Sequence, residues 1–63
     1  MAMSRKDFVA IAAVIKSEVD TARLLQNEQA IATLTIVANN LAHHCATACK
    51  EFNRNRFLDA CGV

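Results

Sequence analysis

The chain contains no proline, one glycine (Gly62) and three cysteines. Strands joined by tight turns need residues that punctuate the interior, and nothing here does so before the last few positions. That absence, together with abundant alanine, points to an all-α chain. An odd cysteine count in a sequence that is not loop-rich argues against a disulfide scaffold and for reduced thiols. A formal charge of +1 supplies no long-range field, which speaks against nucleic acid as a partner. No uninterrupted apolar run approaches the roughly 20 residues that a membrane-spanning helix requires. Ser4–Asp7 is too polar for a secretory signal, and Phe8–Ile15 is followed by no small-residue cleavage site. The expectation is a soluble cytoplasmic protein with no membrane partner. Repeats, low-complexity stretches and linkers are missing too, so a single helical domain is expected.

What the chain has in excess is apolar surface. Apolar residues make up 54% of its 63 positions. A chain of that length buries only about 60% of the surface its unfolded form exposes. A lone two- or three-helix unit cannot hide so much, and self-association, most simply as a homodimer, is the expected remedy.

The spacing of apolar residues predicts three helices. Glu28–Phe52 carries Ile31, Leu34, Ala38, Leu41, Cys45, Ala48 and Phe52 at steps of three or four, one face of a long amphipathic helix. Asn27 precedes it as an N-cap, with Glu28 in the first turn and Lys50 in the last, both favourable for the helix dipole. Upstream, Ser4 and Asp7 resemble a capping box with Asp in place of Glu, while Met1–Met3 reads as a loose end. The first helix is then Arg5–Leu25, with Phe8, Ile11, Ile15, Val19, Ala22 and Leu25 as its stripe and Lys16, Asp20 and Arg23 facing solvent. A break at Ser17–Thr21, with Asp20 capping a restarted helix, is the alternative. Gln26 and its neighbours form a link short enough to make the two helices antiparallel. Arg54–Cys61 reads as a short third helix stopped by Gly62, with Phe57, Leu58 and Cys61 inward. The architecture expected is an antiparallel hairpin with a short C-terminal helix, pairing as a homodimeric bundle.

Phe8–Ile15 is apolar all round, which a helix tolerates when it is buried on more than one side. Phe8, Val9, Ile11, Val14 and Ile15, with Ile36 and Val37 off the main stripe of the second helix, are therefore the expected oligomer interface. The antiparallel hairpin brings both chain ends together, so Arg5, Lys6, Arg54 and Arg56 are candidates for an anion-binding end. The competing reading is ordinary solubilising charge, offset by Asp7, Glu51 and Asp59.

His43, His44, Cys45 and Cys49 invite a zinc reading with Cys61, but no Cys-x-x-Cys turn is present and Cys45 lies on the apolar stripe. No metal ligand is assigned. Adjacent residues on one helix point about 100° apart, which does not set a histidine against its neighbouring thiol as a base. Glycine-rich phosphate loops and spaced carboxylate pairs are missing, so no catalytic residue and no cofactor is assigned.

Glu51-Phe52-Asn53-Arg54-Asn55-Arg56-Phe57-Leu58-Asp59-Ala60-Cys61-Gly62 resembles the closing segment of small phage- and prophage-encoded helical proteins. Their tails read approximately Asn-Pro-x-Phe-x-x-x-Arg-Phe-Leu-x-Ala-Cys-Gly. The opening Ser4-Arg5-Lys6-Asp7-Phe8 with Ile11-Ala12 is similar to the start of the same group. Here the Asn-Pro before the aromatic is missing. The resemblance implies a phage accessory protein made in a bacterial cytoplasm, and it carries no catalytic residue across. The expected role is a non-enzymatic protein-interaction module, host-modulating through a host protein. One alternative is an anti-defence protein that binds a nucleotide or other small ligand at its basic end; another is a weak DNA-associated factor.

Overall fold

The computed structural model describes residues 4–63, so the expectation for Met1–Met3 lies outside the described residues. The described chain is all-helical: α1 spans Arg5–Leu24, α2 Glu28–Ala48 and α3 Arg54–Cys61. Among the described residues there is no strand.

Each helix starts where a local side chain accounts for an orphan donor. The Asp7 carboxylate accepts from the Ser4 N–H at 2.8 Å and from the Ser4 hydroxyl at 3.2 Å, which is the acidic half of a capping box. Asn27 accepts from the Ala30 N–H at 3.1 Å and opens α2; Asn53 accepts from the Arg56 N–H at 3.0 Å and opens α3. Helix α1 runs unbroken through Ser17–Thr21. There Lys16 and Asp20 form an exposed ion pair at 2.9 Å, and the Thr21 hydroxyl donates to the Ser17 carbonyl. Such a pair contributes only a few tenths of a kcal/mol. The buried face keeps α1 whole: Ile15, Val19 and Ala22 stay packed straight through this stretch.

The hairpin turn closes on a Schellman motif. Gln26 N–H donates to the Arg23 carbonyl at 3.0 Å and Asn27 N–H to the Ala22 carbonyl at 2.9 Å. Gln26 takes the left-handed position, φ 54°, normally filled by glycine. The same motif ends α3, where Gly62 sits at φ 79° and Val63 N–H reaches the Leu58 carbonyl at 3.3 Å.

Helix α2 stops at Ala48, one turn short of the Phe52 end that its periodicity predicts. Cys49 is extended, at φ −138° and ψ 116°, and Lys50 lies past the helix rather than in its last turn. The break swings Phe52 between Phe8 and Phe57, with ring centroids 4.9 and 5.4 Å away in tilted, edge-on geometry. Such pairs contribute about 0.5–1.5 kcal/mol beyond their area burial.

The rest of the core is small. Ala12, Ile15 and Val19 of α1 meet Ala38 and Ala42 of α2, and Phe57 and Cys61 of α3 complete the cluster. Ala42 takes the inward place that the expected stripe gave to Leu41, because helices cross closely only where side chains are short. Leu41 is half-buried beside it, while Ala48 is exposed. Arg23 is surface-exposed yet tied to the fold: its guanidinium donates to the Gly62 carbonyl at 2.8 Å and pins the end of α3 to α1. Eight residues of α3 rise about 12 Å, so the turn end of the hairpin stays uncovered. Leu24 and Leu25 are 84% and 69% exposed there, against the expectation that Leu25 belongs to the buried stripe.

Phe57 is 5% exposed, whereas Arg54 and Arg56 on the same short helix are exposed. Phe57→Ala is expected to cost about 3 kcal/mol in urea denaturation, and Arg56→Ala less than about 0.5 kcal/mol. Equal effects would mean that α3 is not docked. The two left-handed positions make a paired prediction. Gln26→Gly should raise stability by about 0.5–1 kcal/mol, and Gly62→Ala should lower it by about as much. A Cβ on Gly62 would stand 3.5 Å from Lys16 Cγ, an ordinary contact, so the backbone angle alone sets that cost.

Candidate functional site

The four basic candidates part company in the folded chain. Arg5, at the start of α1, and Arg56, in the first turn of α3, line one groove of about 440 Å³. Its walls come from α1, the Cys49–Asn53 link and α3, with Phe8, Val9, Phe52 and Phe57 beneath and beside the arginines. Lys6 faces away, beside Ala10 and Ala13 on the outer surface of α1, and Arg54 does not line the groove. Glu51 lies on the groove, so the rim carries two positive charges and one negative. Among the described residues neither guanidinium has a carboxylate partner within salt-bridge distance; the ion pair is Lys16–Asp20.

The seven interface candidates also divide. Phe8 is half-buried and Val9 is 61% exposed, and both belong to the groove. Ile15 is 7% exposed and packed in the core of its own chain, which removes it from any contact surface in this fold. Ile36 is 60% exposed and points away from the α2 core residues Ala38, Ala42 and Cys45. Ile11, half-buried, and Val14, 65% exposed, lie on the opposite flank of α1 from Val9, Lys16 and Arg23. Since α3 covers the Val9–Lys16–Arg23 side, Ile11 and Val14 belong to the side it leaves open. On α2 the half-buried Leu34 and Leu41 share a stripe with Val37, at steps of three and four. This stripe flanks the same open side. Leu34 and Leu41 pack against the core, as their place on the expected stripe implies, and keep part of their surface open beside Val37.

Thiol and imidazole groups do not gather. His43 and His44 are exposed, whereas Cys45 and Cys61 are buried. Among the described residues no three His, Cys, Asp or Glu side chains converge as a metal site would require. Burial pushes the Cys61 thiol up from its ordinary value; burial, and to a smaller degree neighbouring Cys49, does the same to Cys45. Raised thiols hold less of the nucleophilic thiolate at neutral pH, the reverse of what covalent catalysis needs.

No protein-family model matches the chain, and neither the curated proteins nor the solved structures provide a match. Among the described residues no helix is long and apolar enough to cross a membrane.

Half-buried Cys49, on the groove, is the accessible thiol of the three. Maleimide labelling at pH 8 should therefore modify Cys49 about tenfold or more faster than Cys45 or Cys61, followed by peptide mass spectrometry. Equal rates at all three would show a core that opens freely.

Proposed function

We propose that this chain is a non-enzymatic interaction module that pairs with a second copy through the open side of the α1–α2 hairpin. The observation that carries the proposal is the exposed pair Val14 on α1 and Val37 on α2, flanked by half-buried Ile11, Leu34 and Leu41, with Asp7 and Glu18 bounding the α1 part of this face at steps of four. Shape supports it. The Cα radius of gyration is 11.8 Å, against about 10.6 Å for a compact domain of this length. Accessible surface is 4833 Å², where a compact monomer of 6.9 kDa would expose about 4,000 Å². A two-fold axis through this face sets like against like, which suits Val14 and Val37 at its centre, with Asp7 and Glu18 at the edges where they stay in water.

The resemblance of both chain ends to small phage-encoded proteins supports placing such a module among phage accessory factors, acting on a host protein. The open face then either builds the dimer that presents other surfaces or is itself shared with that host protein.

Light scattering coupled to size exclusion tests the pairing. The expected mass at micromolar concentration is about twice the 6.9 kDa of one chain. Val14→Glu with Val37→Glu should yield a monomer of unchanged helicity, since both side chains are exposed in the single chain. Ile36→Glu, off the stripe, should leave the dimer intact. A wild-type monomer across the whole concentration series would contradict the proposal.

A further inference from the structure

We infer that the groove between the start of α1 and α3 is a binding site for a small monoanion with an apolar body, namely an aliphatic or aromatic monocarboxylate. Its volume of about 440 Å³ falls in the range of small-molecule sites, which are mostly apolar with a few convergent polar groups. Phe57 is the floor, 95% withdrawn from water, while Phe8 and Phe52 keep part of their surface open along the groove. Rings held edge-on by one another are rigid, so a ligand lying on them orders little that is not already ordered. Arg5 and Arg56 come from two different helices, and a planar fork on each suits a carboxylate held from both sides.

The charge at the rim selects the class of anion. Arg5, Arg56 and Glu51 leave one net positive charge, which a monocarboxylate neutralises and a phosphate dianion overfills. Glu51 would also oppose the second charge of a dianion. Val9 and Ala60 on the groove add apolar surface for the body of the ligand. This site lies on the side of α1 that carries α3, away from Val14 and Val37, so it does not depend on the proposed dimer.

Sodium decanoate, titrated below its micelle concentration into the ¹⁵N-labelled full chain, is the probe. Amide shifts are expected at Phe8, Val9, Cys49 and Phe57, saturating with a single affinity, together with slower alkylation of Cys49. Arg5→Gln with Arg56→Gln should weaken decanoate by about tenfold or more, the usual scale for lost charge-assisted hydrogen bonds. Binding of neutral 1-decanol should change less than about twofold in that variant, because the apolar floor is untouched. Decyl phosphate should bind more weakly than decanoate at pH 8. The Val14→Glu, Val37→Glu chain should bind decanoate as the unsubstituted chain does. Four results would each overturn the assignment: undiminished decanoate affinity in the double arginine variant, shifts confined to Ile11, Val14 and Val37, tighter binding of decyl phosphate, or no saturable binding at all.

Discussion

Phe57 is the constraint on which the rest of this small fold depends. It is the large buried side chain where α1, the end of α2 and α3 meet, packed on the Phe52 ring, and the other buried members of its cluster are smaller: alanine, valine, isoleucine and cysteine. Alanines let helices approach closely, but each buries little area. A 63-residue helical chain rarely draws more than about 3–5 kcal/mol from such a core. One phenylalanine therefore represents most of the margin. The early end of α2 follows from the same need. Surrendering the turn after Ala48 lets Phe52 bridge Phe8 and Phe57, and it frees Asn53 to cap the helix that carries Phe57 inward.

Short α3 determines which surfaces are left over. It covers one side of the hairpin and stops near Lys16 and Arg23, where Gly62 turns the chain and accepts from Arg23. On the covered side, the junction with α1 leaves a groove bordered by Arg5 and Arg56. On the uncovered side, Val14 and Val37 remain in water. The two proposed activities thus occupy opposite sides of α1 and arise from one cause: a third helix too short and too far to one side to close the core.

Local chemistry was legible in the sequence; the placement of side chains that depends on a third element was not. The starts of α1 and α2 follow from Asp7 and Asn27, each acting within three residues of itself, and the stop at Gly62 is equally local; Asn53 caps α3 by the same kind of local bond. Helix α2 was expected to reach Phe52 because Ala48 and Phe52 continue its spacing. Periodicity along one helix cannot register that Phe8 and Phe57 offer Phe52 a better site. Phe8–Ile15 shows the same limit. Its all-round apolar character implied more than one neighbour, but only the packed structure divides it into Ile15 for the core, Val9 for the groove and Val14 for the open side. Hairpin topology was enough to bring Arg5 and Arg56 together. Helical phase, one residue along from Arg5 and two before Arg56, sends Lys6 and Arg54 elsewhere.

Phe57 and Cys61 dock α3 into the same core that holds α1 and α2, which makes the three helices one cooperative unit. Native-state hydrogen exchange of the backbone amides tests it most directly. Phe57–Cys61 amides of α3 are expected to exchange with free energies within about 1 kcal/mol of those at Ala12–Val19 in α1, both governed by global unfolding. Exchange in α3 faster by orders of magnitude than in the middle of α1 would contradict the account, because the third helix would then open while the hairpin stayed closed.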